Sequence, residues 1–270
     1  MVNNTFEKTI IAPKFELKDD RPVHSKIGAS SMHRWAKCPG SIRESEGVPH
    51  KAGAAAQIGT MAHEYSAFIL EESFSKQITV GDVIETFNRQ VGVYLEYVAE
   101  LKKRCGVVHI EHAFDMTEIF PDLYGTSDCV AYEGSKQTLH VADYKHGEGI
   151  VVNVENNLQT SYYALGALST LPYRPKYITM TIVQPRAYHP DGPIRSWTVP
   201  NTYFIDFEAD LIAAAKETIK ENAALVAGDH CIFCPAKIKC PQKQKVNVAD
   251  AKKQFGFYRD PKLDFEPVEG

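Results

Sequence analysis

Hydrophobic positions along the chain change their period twice, and the changes predict its elements. Ser30 or Ser31 can cap a short helix carrying Met32 and Trp35, which Cys38-Pro39-Gly40 stops. Residues 48–57 are rich in Ala and Gly and read as a loop. Ile58, Met61, Ala62, Tyr65, Phe68 and Ile69 recur at three- and four-residue steps, predicting a helix over about 58–74. Val83, Phe87, Val91, Tyr94, Leu95 and Val98 predict another over about 82–104. The period then becomes two. Residues 107–114, 123–132 and 138–144 read as a three-stranded meander, the last two strands joined by a turn at 133–136. A helix over 155–170, a strand pair at 176–184 and 194–199, and a helix over 202–226 with Gly228 as its C-cap follow. Residues 1–27 read as an N-terminal arm, 28–246 as a single domain and 247–270 as an extended polar tail.

The order of helices, three strands, helix, strand pair and helix predicts an α/β (α+β) fold, a central mixed β-sheet flanked by helices. With 270 residues, 44% hydrophobic and 24% charged, the chain can bury a sizeable core. No run approaches the roughly 18 apolar residues of a membrane span. The opening MVNNTFEKTI has no apolar leader segment, so a cytoplasmic location is expected. In a reducing cytosol, clustered cysteines point to metal rather than to disulfides. The net charge of −4 lacks the basic excess of many nucleic-acid binders. Lys237, Lys239, Lys243 and Lys245 form an acid-free basic run that can meet phosphate or face solvent.

The chemistry-bearing set centres on Asp128 and on Asp143-Tyr144-Lys145. Asp143 and Lys145 lie two apart on a strand, so their side chains share a face. Pairing across the 133–136 turn is expected to set 131 opposite 138, bringing Asp128 near 141 and, one pair further, toward Asp143. Two carboxylates and the Tyr144 carbonyl make a hard-oxygen site for Mg²⁺ or Mn²⁺. Such an ion activates water and offsets charge on a phosphodiester, and a neighbouring lysine assists. His63, on the 58–74 helix, can add a metal ligand, with Glu64 as its support. Gln159 and Tyr163 lie four apart on one face of the helix that follows Lys145.

Cys231-x2-Cys234-x5-Cys240 is a tight cluster of three thiols, and Cys38 is the candidate for a fourth. Four cysteines suit zinc or an iron–sulfur cluster, and spacing does not choose between them. Cys105 and Cys129, at a helix end and in a strand, read as small buried apolar residues.

The ordered set His63, Gly125-Thr126-Ser127-Asp128, Asp143-Tyr144-Lys145 and Gln159-x-x-x-Tyr163 resembles the PD-(D/E)XK nuclease superfamily, in particular its RecB-like branch. The resemblance implies a restriction-endonuclease-like core. It implies His63, Asp128, Asp143 and the Tyr144 carbonyl as Mg²⁺ or Mn²⁺ ligands, Lys145 as the catalytic lysine, and Gln159 and Tyr163 steadying it or meeting DNA. One early and three late cysteines are similar to the AddB-like and CRISPR-adaptation nucleases. That likeness implies a [4Fe–4S] cluster, in preference to zinc, on Cys38, Cys231, Cys234 and Cys240, joining the N- and C-terminal parts of the chain. The run Ser30-Ser31-Met32-His33-Arg34-Trp35 into Cys38-Pro39-Gly40-Ser41 resembles phage-encoded members, which accompany single-strand annealing proteins. The implied activity is a metal-dependent DNA exonuclease of recombination or repair. A structure-selective endonuclease, or a non-catalytic DNA-binding module on the same scaffold, stays open.

Overall fold

The period-two region folds as a mixed five-stranded sheet. In the computed structural model, which describes residues 25–49, 53–76 and 89–255, the strands are β1 (Val108–Asp115), β2 (Tyr124–Glu133), β3 (Thr138–Tyr144), β4 (Tyr177–Val183) and β5 (Ile194–Pro200). They lie side by side in chain order. Only β3 and β4 run parallel, because their connection carries a helix. Seven helices occur among the described residues: α1 (Met32–Trp35), α2 (Ser41–Ser45), α3 (Ala54–Lys76), α4 (Arg89–Arg104), α5 (Leu158–Thr170), α6 (Tyr203–Thr218) and α7 (Pro241–Phe255). The fold class is therefore the expected α/β arrangement. No helix among the described residues is long and apolar enough to cross a membrane.

The chain divides into two compact units. One takes the chain up to His33 and from Lys51 to Ala215, and so holds the sheet; the other takes Arg34–His50 and the chain from Lys216 onwards. In the sheet unit, α3 and α4 cover one face. Leu70, Val91, Leu95, Val98 and Leu101 pack there with Cys129, Ala131, Ala142 and Tyr144. The α4 stripe recurs at helical spacing, and each fully buried aliphatic side chain contributes roughly 1.5–3 kcal/mol. Helix α5 covers the other face, where Phe114 packs against Tyr162 and Tyr163 at 5.9 and 6.0 Å between ring centroids. Two glycines permit this. A Cβ on Gly166 would stand 2.3 Å from Phe114 Cδ2, and one on Gly125 would stand 3.2 Å from its Cζ.

Several sequence expectations change. Helix α3 starts at Ala54, inside the stretch read as a loop, because Ala54-Ala55-Ala56 favours helix strongly. The start of the helix expected over 82–104 lies outside the described residues, and α4 is seen from Arg89. Helix α6 ends at Thr218 rather than 226. The Ala224 carbonyl instead accepts from Gly40 N–H at 2.9 Å, a tertiary bond inside the second unit. Gly228 is not a C-cap; its backbone is extended and it opens a 3-10 turn over Asp229–Cys231. Residues 241–255, overlapping the expected extended tail, form α7, which Pro241 begins. The arm up to residue 24 and the tail from 256 lie outside the described residues.

Strand β1 carries a further departure from simple alternation. Ile110 packs into the α3/α4 core. His112 reaches Thr170 Oγ1 of α5 at 3.2 Å, and Phe114 also packs on α5. In a regular strand 110, 112 and 114 would share one face. The alternation reverses at Glu111, whose φ of 48° lies in the left-handed region.

Candidate functional site

The candidate site forms where β2 and β3 separate. Their ladder runs from Glu133↔Thr138 through Ala131↔His140 to Cys129↔Ala142. This corrects the expected 131–138 pairing by two residues. The cause is the tight 3-10 turn over Gly134–Lys136, closed by Gln137 in the left-handed conformation. The observed register sets Asp128 level with Asp143. The Asp128 carboxylate takes the place of a strand carbonyl there, its Oδ2 accepting Tyr144 N–H at 2.7 Å. Tyr144 thus enters the site through its N–H. Its ring lies on the opposite face, stacked on Tyr94 at 4.8 Å.

Lys145 continues β3, its N–H bonded to Val183 O at 2.8 Å. Its ammonium lies 2.8 Å from Asp143 Oδ2 and donates to Oδ1 at 3.1 Å. It also donates to Gln159 Oε1 at 2.8 Å, and Gln159 Nε2 donates to Tyr163 Oη at 2.8 Å. Asn157 caps α5 by accepting Thr160 N–H at 3.1 Å, which starts the helix where Gln159 and Tyr163 face Lys145. His63 arrives from α3 with Nδ1 3.4 Å from Asp128 Oδ1. Glu64 is exposed. The structure therefore gathers His63, Asp128, Asp143, Lys145, Gln159 and Tyr163 into one network.

The network concentrates negative charge out of water. Asp143 is 1% exposed, and burial, with help from nearby Asp128, raises its carboxyl pKa despite the opposing pull of Lys145. Burial pushes Asp128 the same way, but His63, the Tyr144 N–H and Lys145 prevail and lower it. Burial disfavours charge on His63, yet Asp128 and Asp143 outweigh it and lift its pKa to about 9. Asp143 Oδ2 is buried and lies at ion-pair distance from Lys145, yet no directed hydrogen bond reaches it. A buried carboxylate oxygen in this state calls for a cation. Asp128, Asp143 and the His63 imidazole form a donor set that fits a hard divalent ion.

Glu111 is a member that sequence reasoning missed. Its carboxylate oxygen, the His63 nitrogen and an Asp128 oxygen all lie within 4.8 Å of one another. Only the β1–β2 register reveals it, since Ile110↔Cys129 and His112↔Ser127 bracket Glu111 level with Asp128.

The four candidate cluster cysteines all belong to the second unit. Cys38, Cys231 and Cys234 are buried and Cys240 is half-buried. Backbone N–H groups point at two of the sulfurs, Val226 to Cys38 Sγ at 3.3 Å and Gly228 to Cys231 Sγ at 3.5 Å. Burial pushes the Cys38 thiol pKa up, Val226 N–H opposes it, and nearby Cys231 and Cys240 add to the rise. No three of these sulfurs lie within 4.8 Å of one another. Around one tetrahedral zinc, sulfurs stand about 3.8 Å apart. Gly40 admits the close approach of the chain here, since a Cβ would meet Ala223 O at 2.6 Å. Arg34, also missed in the sequence, donates to Ser41 O at 3.2 Å and Ser41 Oγ at 3.0 Å, bracing the turn that carries Cys38.

The basic run lies in the same unit. Lys237, Lys239 and Lys245 are exposed and Lys243 is half-buried; Lys237 donates to Ile232 O at 2.9 Å. Cys105 and Cys129 belong to the sheet unit and are buried, as expected. Burial raises the Cys105 thiol pKa to about 11 and that of Cys129 further.

Comparison with known proteins gives two findings. A family model described as "Protein of unknown function (DUF2800)" matches residues 24–268. Among solved structures, the crystal structure of SSO0001 is similar at 12% identity and a TM-score of 0.39, over 84% of this chain and 90% of that chain.

Proposed function

The chain belongs to the DUF2800 family, and from that premise we propose that it is a Mg²⁺- or Mn²⁺-dependent deoxyribonuclease, an exonuclease of DNA recombination or repair. One observation carries the reading. The buried Asp143 oxygen without a hydrogen bond lies beside Asp128 and Lys145, so the site holds more negative charge than its own lysine answers. His63, Asp128 and Asp143 would hold the ion, and the Tyr144 carbonyl is a further candidate ligand. The ion supplies a Lewis acid that activates water and offsets phosphate charge. The residues of the chain do the rest. Asp143 and Gln159 hold the Lys145 ammonium in place, where it can meet a phosphate oxygen or orient the attacking water. Tyr163 fixes the Gln159 amide in turn. The order of these residues along the chain follows the RecB-like pattern of the PD-(D/E)XK superfamily.

The four cysteines of the second unit form the proposed [4Fe–4S] site. Backbone N–H groups aimed at Cys38 and Cys231 suit thiolate ligands. A sulfur spacing wider than one zinc ion needs supports a cluster of several irons. The exposed lysines of the basic run are candidate phosphate contacts.

The deciding experiment is cleavage of end-labelled linear and closed circular DNA in Mg²⁺, Mn²⁺ or EDTA, with wild type and Lys145→Ala. Metal-dependent loss of linear DNA alone, absent in the variant, is expected. Cutting of the circle would make the enzyme an endonuclease. Binding without cleavage would leave a DNA-binding module. In parallel, Cys234→Ala should lose iron and brown colour, and an unchanged iron content would remove the cluster.

A further inference from the structure

Three acids occupy one row across adjacent strands: Glu111 on β1, Asp128 on β2 and Asp143 on β3. Like charges in facing positions of neighbouring strands repel. His63 answers Asp128 and Lys145 answers Asp143. The third acid has the least expected backbone. Glu111 holds a φ of 48° inside a strand, where glycine or asparagine would sit with less strain. The reversal of alternation at this point lets Ile110 and Phe114 pack on opposite faces. That packing explains the backbone and leaves the side chain unexplained. A glycine would make the same kink, without strain and without a carboxylate beside Asp128. Residues kept in strained conformations against such local preference cluster where a ligand is held.

We propose that Glu111 is a cation ligand of this site, acting with His63 and Asp128 from the β1 side. The proposal rests on the nuclease reading above and extends its ligand set. The three donor atoms already lie within 4.8 Å of one another. They combine one imidazole with carboxylate oxygens, a set that Mn²⁺ accepts readily. An ion among them offsets the repulsion along the whole row. Its second neighbour is the buried Asp143 oxygen that no hydrogen bond reaches. Binding energy from the ion would then compensate the backbone strain at Glu111. In the metal-free chain the strain and the repulsion remain uncompensated.

The test is calorimetric titration of the full chain with Mn²⁺, using wild type, Glu111→Gln and Glu111→Gly, together with the melting temperature of each in EDTA. Both variants should lose at least about tenfold in Mn²⁺ affinity. In EDTA, Glu111→Gln should melt no lower than wild type, since it removes only a repelling charge. Glu111→Gly should melt higher, since glycine accepts the left-handed backbone freely. Unchanged Mn²⁺ affinity in Glu111→Gln overturns the proposal. So does a lower melting temperature in both variants, which would make Glu111 a structural residue. If wild type itself takes up no Mn²⁺, the nuclease reading falls as well. If wild type binds and Glu111→Gln binds equally, only the role of Glu111 falls.

Discussion

The β2–β3 hairpin carries a buried acid near each end, and the two ends treat it in opposite ways. At the turn, Glu133 Oε1 meets Lys136 Nζ at 2.8 Å, while Oε2 meets His140 Nε2 at 3.1 Å and Arg104 at 3.4 Å. The Lys136 bond above all, helped by His140 and Arg104, holds its carboxyl below the usual range. At the fork, Asp143 has one ammonium for two oxygens, and burial raises its pKa instead. The turn end would attract attention first. Donor atoms of Cys105, Glu133 and His140 lie within 4.8 Å of one another, and a cavity of about 580 Å³ opens beside Arg104, Glu133, Lys136 and His140. Yet every oxygen there already has a cationic or imidazole partner. Proximity of ligating groups and open space do not make a metal site. Unanswered buried charge does, and only the fork has it.

The largest test of this contrast is catalytic. Asp143→Ala should lower single-turnover DNA cleavage by about 10³-fold or more, equivalent to roughly 4 kcal/mol. Glu133→Gln should cleave at the wild-type rate. A dead Glu133→Gln, or an active Asp143→Ala, would break the comparison. A second test strains the helix above the fork without touching its acids. Gly166→Ala forces a methyl group onto Phe114 and should cost about 1–3 kcal/mol, read as a lower urea midpoint. A midpoint equal to wild type would show that α5 can shift, and with it Gln159 and Tyr163.

The smallest effect belongs to the turn. Glu133→Gln should cost at most about 1 kcal/mol, because its partners Lys136 and Arg104 are 63% and 43% exposed and water screens them. A carboxyl with a lowered folded pKa stabilises above its unfolded value and loses that contribution as pH falls through the folded one. The stability difference between wild type and Glu133→Gln should therefore be full above pH 4.5 and shrink below it. A difference that grows in acid would refute the ion-pair account of this end.

Much of this was legible because burial writes itself into periodicity. Residues 138–144 read as a strand and form one over Thr138–Tyr144, since both faces of β3 are covered. The α4 stripe was equally plain from Val91 to Val98. For the site, the two-residue spacing of Asp143 and Lys145 and the four-residue spacing of Gln159 and Tyr163 needed only strand and helix geometry, and the structure brings all four together. The level pairing of Asp128 with Asp143 was less accessible. It depends on a turn whose left-handed Gln137 has no glycine or asparagine to announce it.

By itself, then, the sequence determined the α/β class, the order of the elements and the pairs of site residues that a single helix or strand aligns. These follow from local rules, in which neighbours in the chain decide the outcome. Tertiary structure alone decided the rest. It ended α6 at Thr218, because Ala224 bonds to Gly40 far away in the chain. It set the register that brings Asp128 level with Asp143, and it reversed the alternation of β1 at Glu111 so that Ile110 and Phe114 could both be buried. Pairing between strands and packing between layers are long-range choices. One carboxylate at position 111 gains its meaning only when two other strands are laid beside it.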